Sequence, residues 1–157
     1  MGPGIEVIHT RLLTVDDAGK VAKMGYKALI ETGLLDIDYN ETHFYTQIKR
    51  GLVSPFWQGS IGLCHNDTLI GFAFIHYNNL PWAPSQKVAT LQYYYVEHNY
   101  ANNQNTLILF DAIEDWCREN KITGLRISNK NININSLYEL GFNEQERIFY
   151  KEYNDNY

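Results

Sequence analysis

Leu91-Gln-Tyr-Tyr-Tyr-Val-Glu-His98, then Asn99-Tyr-Ala-Asn-Asn-Gln-Asn105, then Thr106-Leu-Ile-Leu-Phe-Asp-Ala-Ile-Glu-Asp-Trp-Cys117, is the stretch that decides the fold. Its first part is dense in aromatic and β-branched residues, the composition of a half-buried strand. Its last part sets Leu109, Ala112, Ile113, Trp116 and Cys117 three and four apart, one face of a helix starting near Leu107. Between them lies a short polar loop, rich in Asn and without glycine. Strand, loop and helix start in succession aim unpaired backbone N–H groups at one point, at the positive end of a helix dipole. Such a point suits a phosphate. Alternation puts Tyr93 and Tyr95 on one face of the strand and Tyr94 on the other.

Upstream, Ile5 to Leu13 predicts a strand, and Thr14-Val-Asp-Asp17 predicts a helix start with Thr14 as its cap. Val21, Met24, Ala28 and Leu29 continue that helix's apolar face to a stop at Gly33. A shorter helix is expected from Asn40 to Arg50, with Phe44 and Ile48 four apart and Gly51 closing it. Trp57 to Cys64 and Thr68 to Tyr77 read as a hairpin turned by His65-Asn-Asp67. Asn78 to Ser85, holding Pro81 and Pro84, reads as a loop. Downstream come a strand over Ile122 to Ser128, a helix over Ile132 to Leu140 ended by Gly141, and a closing strand within Phe142 to Tyr153. The order β-α-α-β-β-β-α-β-α-β predicts one domain over residues 1–157: an α/β (α+β) mixed sheet with helices on both faces.

At 157 residues, 45% hydrophobic and 20% charged, the chain has the make-up of a soluble globular domain. A formal charge of -5 without a run of Lys or Arg argues against nucleic acid as a partner. No stretch approaches the roughly 20 apolar residues that cross a bilayer. The N-terminus has no signal-peptide pattern, and Glu6 stands where myristoylation wants Ser or Thr. Cys64 in a strand and Cys117 on a helix's apolar face are expected as buried thiols, which fits a reducing compartment. His9, His43, His65, His76 and His98 are scattered without an HxH or HxxxH pair, so no metal site is expected. Trp57, Trp82 and Tyr93 to Tyr95 either line a pocket for an apolar substrate or pack the sheet faces. Asn makes up about a tenth of the chain, beside 12 Tyr, and both residues have A/T-rich codons. That composition fits a bacterial or phage genome, and the expected location is cytoplasmic.

Val96-x-His98-x-x-Ala101-x-x-Gln104-x-Thr106 and Leu137-Tyr-Glu-Leu-Gly-Phe142, set in that element order, resemble the GCN5-related N-acetyltransferase superfamily (GNAT) over essentially the whole chain. The resemblance implies a strand that splays from its neighbour to admit the pantetheine arm of acetyl-CoA, and a loop whose backbone N–H groups hold the pyrophosphate. Tyr95, Val96, Ala101, Asn102, Asn103, Gln104, Asn105 and Thr106 are then the candidates for cofactor binding. The family's Pro, Arg/Gln, Gly and Gly/Ala positions fall here on His98, Ala101, Gln104 and Thr106. Asn is the best non-glycine residue at positive φ, so Asn102, Asn103 and Asn105 are expected to replace the missing glycines in conformation, though not in space.

For catalysis the resemblance implies Tyr138 as acid for the departing CoA thiolate, and Glu97 as a base working through water. The family's Tyr stands four residues before the Gly, whereas Tyr138 stands three before Gly141. Where the family often has a carboxylate in the central strand, this chain has Gln92 and Tyr93. The implied activity is transfer of acetyl from acetyl-CoA to an amine of a small molecule or peptide, by direct attack. The alternative is a catalytically degenerate member that serves as a structural or interaction protein, phage-encoded and virion-associated. A sensor of acyl-CoA without turnover lies between the two. The expected partners are the amine substrate or, in the alternative, a second copy or a structural partner, with neither nucleic acid nor membrane.

Overall fold

Strands β1 (Ile8–Leu12), β2 (Gly59–His65), β3 (Thr68–Leu80), β4 (Ala83–Val96) and β5 (Gly124–Ile127) form one sheet in the order β1-β2-β3-β4-β5. This computed structural model describes residues 6–31, 39–54, 57–127, 132, 134–145, 151 and 153. The first four strands run antiparallel, and β5 joins β4 in parallel. A parallel pair needs a crossover, and helix α3 (Asn103–Glu119) supplies it. Helices α1 (Ala18–Glu31) and α2 (Glu41–Val53) lie between β1 and β2 in the chain, and α4 (Ile134–Glu139) follows β5.

Side-chain alternation divides the interior into two cores. On one face Ala73, Ile75, Leu91, Tyr94 and Val96 pack with Leu109, Phe110 and Ile113 of α3, and with Leu137 of α4. On the other, Phe72, Phe74 and Tyr95 pack with Val21 and Met24 of α1, Ile48 of α2 and Trp57. Leu109, Phe110 and Ile113 are fully buried, each contributing about 1.5–3 kcal/mol. The mixed sheet with helices on both faces is therefore as expected, and so is the separation of Tyr94 from Tyr95. Cys64 and Cys117 are free and belong to opposite cores. Burial pushes the Cys117 thiol up to about 11.

The helix ends follow local chemistry. A 3-10 turn over Val15–Asp17 leads into α1, with Thr14 as N-cap. The Asp17 carboxylate accepts the Thr14 N–H at 2.7 Å and both Arg11 guanidinium nitrogens at 2.8 Å. Those Arg11 bonds hold the Asp17 carboxyl below its usual range, with burial opposing them. Asn40 caps α2 by accepting the His43 N–H at 2.9 Å. α4 ends in a Schellman motif: Gly141 sits at φ 90, its N–H donates to the Tyr138 carbonyl, and the Phe142 N–H donates to the Leu137 carbonyl.

Two expectations are corrected. Gly51 does not close α2 but lies buried within it, because the Trp57 ring rests against the helix there and a Cβ would overlap the indole. Asn78 to Ser85 is not an open loop, since β3 continues to Leu80 and β4 begins at Ala83. Pro84 is tolerated because the ladder jumps from Leu80–Ala83 to Asn79–Lys87, which leaves it where no N–H is needed. The expected stop at Gly33 and most of the closing strand fall outside the described residues, and 142–145 carry no regular structure.

Candidate functional site

β4 and β5 pair from Val88–Gly124 to Leu91–Ile127 and, among the described residues, no further. At that point β4 carries a bulge. Phe74 faces Tyr93 and Ile75 faces Leu91, so Gln92 has no partner on β3. An extra residue bends a strand and increases its twist, so the bulge at Gln92 changes the course of β4 where its described pairing with β5 ends.

The bulge also puts Gln92 and Tyr93 on the α1/α2 face together. Both are exposed midway along the sheet, Tyr93 by 37%, between buried Leu91 and Tyr94. Tyr93 meets Phe44, Trp57 and Phe74 edge-on, with ring centroids 5.9, 5.9 and 6.2 Å away. The Trp57 indole N–H donates to Gln92 Oε1 at 2.8 Å. On β3, His76 follows Phe72 and Phe74 at the same parity and pairs with Thr90, next to the bulge. Register therefore places His76 on this face. Its alternation with the two phenylalanines is the signal that the sequence carries for this placement.

The loop after β4 winds more tightly than expected. His98–Tyr100 forms a 3-10 turn and α3 begins at Asn103, with Asn102 as N-cap at φ -106. No residue from Glu97 to Thr106 has positive φ, so the expected glycine-like role of Asn102, Asn103 and Asn105 is corrected. Asn has a second use, capping, and here that use prevails. Asn102 Oδ1 accepts the Asn105 N–H at 2.8 Å, and Asn105 Nδ2 donates to the Tyr100 carbonyl at 2.9 Å. Asn105 is accordingly buried, while Ala101, Asn102, Asn103 and Gln104 are exposed.

The main-chain donors of the loop can be followed one by one. The N–H groups of Glu97, Tyr100, Ala101, Asn102 and Thr106 all find backbone carbonyls, and that of Asn105 finds the cap. Asn103 and Gln104 stand in the first turn ahead of the helical ladder, so their N–H groups remain to meet an anion at the dipole's positive end. Burial pushes the Tyr94 phenol, near Thr106, up to about 12. The Asn103 side chain accepts from Ser136 Oγ of α4 at 3.2 Å, which brings α4 beside the start of α3.

The remaining candidates are not brought together. Tyr95 is buried in the α1/α2 core and Val96 in the other, so only their main chain can serve a ligand. Glu97 stands at the loop end of β4, five residues and about 16 Å of strand from Gln92. Its carboxylate meets Lys27 of α1 at 3.2 Å. Tyr138 is 50% exposed on α4, about 160° around that helix from Ser136. No cluster of three or more His, Cys, Asp or Glu among the described residues could hold a metal. No described helix is long and apolar enough to cross a membrane.

Known structures share this architecture. A possible acetyltransferase from Clostridium difficile 630 is 22% identical over 94% of this chain and 98% of its own, with a TM-score of 0.75. A predicted acetyltransferase with acetyl-CoA from Clostridium acetobutylicum is 14% identical over 93% and 96%, with a TM-score of 0.76. An aminoglycoside N-acetyltransferase in complex with CoA is 16% identical over 97% and 99%, with a TM-score of 0.75. At these identities the likeness establishes the fold. Among curated proteins no sequence matches. The model of the acetyltransferase (GNAT) family matches residues 27–142, which span α2, the bulged strand, the start of α3 and the Gly141-Phe142 pair, and this chain belongs to that family.

Proposed function

We propose that this protein transfers the acetyl group of acetyl-CoA to a primary amine of a small molecule or peptide by direct attack. One observation supports the reading: β4 bulges at Gln92, where its described pairing with β5 ends, and leads through the His98–Tyr100 turn to the N-terminus of α3 at Asn103. The residues present fit acetyl-CoA. The first turn of α3 suits its diphosphate, and the β4 main chain from Gln92 to Val96 offers N–H and C=O groups to the amides of pantetheine. When bound, acetyl-CoA supplies a thioester carbonyl open to a nucleophile and a thiolate leaving group.

The chain's own groups then have these tasks. A main-chain N–H of the same β4 segment polarises the carbonyl that the amine attacks. As the C–N bond forms and the C–S bond breaks, His76 on the acceptor face takes the amine's proton; Gln92, an amide, cannot. Glu97, the base that the family resemblance implies, lies about 16 Å of strand from Gln92, and substitution separates it from His76. The acid for the thiolate that the resemblance implies is Tyr138, and Tyr138→Phe tests it by an expected fall in kcat of tenfold or more, with KM for acetyl-CoA little changed. Isothermal calorimetry with acetyl-CoA and CoA tests the whole reading. Binding in the micromolar range is expected, and no heat at millimolar ligand would end it.

A second reading is favoured by the Asn102–Asn105 cap, which consumes a donor that a glycine loop would leave free. On that reading the chain is a catalytically degenerate structural or interaction protein, phage-encoded and virion-associated. It predicts stable association with a partner and no response to CoA in the same experiment.

A further inference from the structure

Resting on the transferase reading, we propose that the acceptor is a primary amine carried beside an aromatic or similarly flat apolar group. Five rings lie in contact across the acceptor face. Tyr26 meets Tyr39 at 5.8 Å, Tyr39 meets Phe44 at 6.0 Å, Phe44 meets Tyr93 at 5.9 Å, and Tyr93 meets Trp57 at 5.9 Å. The row runs from α1 over α2 to the bulge of β4. It is exposed at Tyr93, and at Tyr26 on its outer end. Tyr93 is exposed in mid-sheet beside buried Trp57 and Phe74, where a ligand's ring can reach it.

The polar groups beside Tyr93 set the chemistry of its ligand. An indole N–H can only donate, so the Gln92 atom that meets Trp57 must be the carbonyl oxygen. The Gln92 amide nitrogen, with two donors, is left for an acceptor oxygen on the ligand. The rings and Gln92 include no carboxylate. Of the described acids, Glu97 is engaged by Lys27, and Glu41 stands in the first turn of α2 near Tyr39. An amine flanked by a ring gains stacking against Tyr93.

The test uses the purified full-length chain and thiol release from acetyl-CoA, with L-phenylalaninamide, L-alaninamide, Nα-acetyl-L-lysine amide and kanamycin as acceptors. Phenylalaninamide is expected to exceed alaninamide by about tenfold in kcat/KM, and to exceed kanamycin and the lysine amide as well. Tyr93→Ala should bring the phenylalaninamide-to-alaninamide ratio toward one, and Tyr93→Phe should preserve it. If Tyr93→Ala fails to fold, Tyr26→Ala at the exposed end of the row should lower the same ratio about twofold. A higher kcat/KM for kanamycin or the lysine amide, a ratio indifferent to both alanine variants, or no turnover of phenylalaninamide by a chain that binds CoA would each overturn the acceptor assignment alone. Absence of CoA binding by calorimetry would overturn the transferase reading and this one with it.

Discussion

Gln92 and Asn102 are amide side chains ten residues apart, and a hydrogen bond to each decides what the main chain beside it can offer. Gln92 accepts from Trp57, a residue of another element, which ties the bulge to the α2 side and holds Tyr93 in the open. Asn102 accepts from Asn105, within its own turn, and so takes that N–H from the donors at the start of α3. The acceptor half of the cleft is thus made of side chains supported from a distance, and the phosphate half of backbone organised locally. Damage to the first should therefore appear in acceptor kinetics and global stability, and damage to the second in CoA affinity with little change in the fold.

His76 gives the sharpest break between the halves. If it takes the amine's proton, His76→Ala should lower kcat by about 10²- to 10⁴-fold. Calorimetric CoA binding should stay at the wild-type value. A loss of CoA binding of similar size would show that the halves are not independent. Next in size is Gly51→Ala, which drives a Cβ into the Trp57 ring and disturbs the partner of Gln92. A cost of about 1–3 kcal/mol is expected, a fall in Tm of roughly 2–12 °C for a chain of this length, with the KM for amine raised more than that for acetyl-CoA.

These two positions also mark how far the sequence could be read. The strand-and-helix order was legible because Tyr93, Tyr94 and Tyr95 alternate between two apolar cores, and because α3 shows a clean three-and-four spacing. The bulge was not, since Gln92 is neither Gly nor Pro and a bulge depends on the register of a distant strand. Gly51 read as a helix stop because a close approach by Trp57 leaves no trace in local spacing. Pro81 and Pro84 suggested a loop, yet a hairpin can carry proline where its ladder is interrupted. In the loop before α3 the ambiguity was chemical: Asn serves both positive φ and N-capping, and only the position of Asn105 three residues on tells which.

Asn102 tests the local half directly. Asn102→Ala should cost about 1 kcal/mol of stability and Asn102→Gly only a few tenths, read as the difference between their melting midpoints. Both release the Asn105 N–H. The Gly variant should then bind CoA up to about tenfold more tightly than wild type. Unchanged or weaker binding by that variant would mean the third N–H does not point at the diphosphate.

The smallest effect is expected where the halves meet, at the Lys27–Glu97 pair. It joins α1, which carries the outer end of the aromatic row, to the loop end of β4. Lys27 is largely exposed, so the pair should contribute no more than about 1 kcal/mol, and Lys27→Ala should shift Tm by only a degree or two. Glu97→Gln keeps the shape and removes the charge, so its kinetics separate the two bases. If His76 alone takes the proton, Glu97→Gln leaves the pH–rate profile in place and kcat within about twofold. If Glu97 works through water, the same substitution lowers kcat by 10²-fold or more and His76→Ala does not. Because about 16 Å of strand separates Glu97 from Gln92, more than one water spans, the first outcome is the one this geometry predicts.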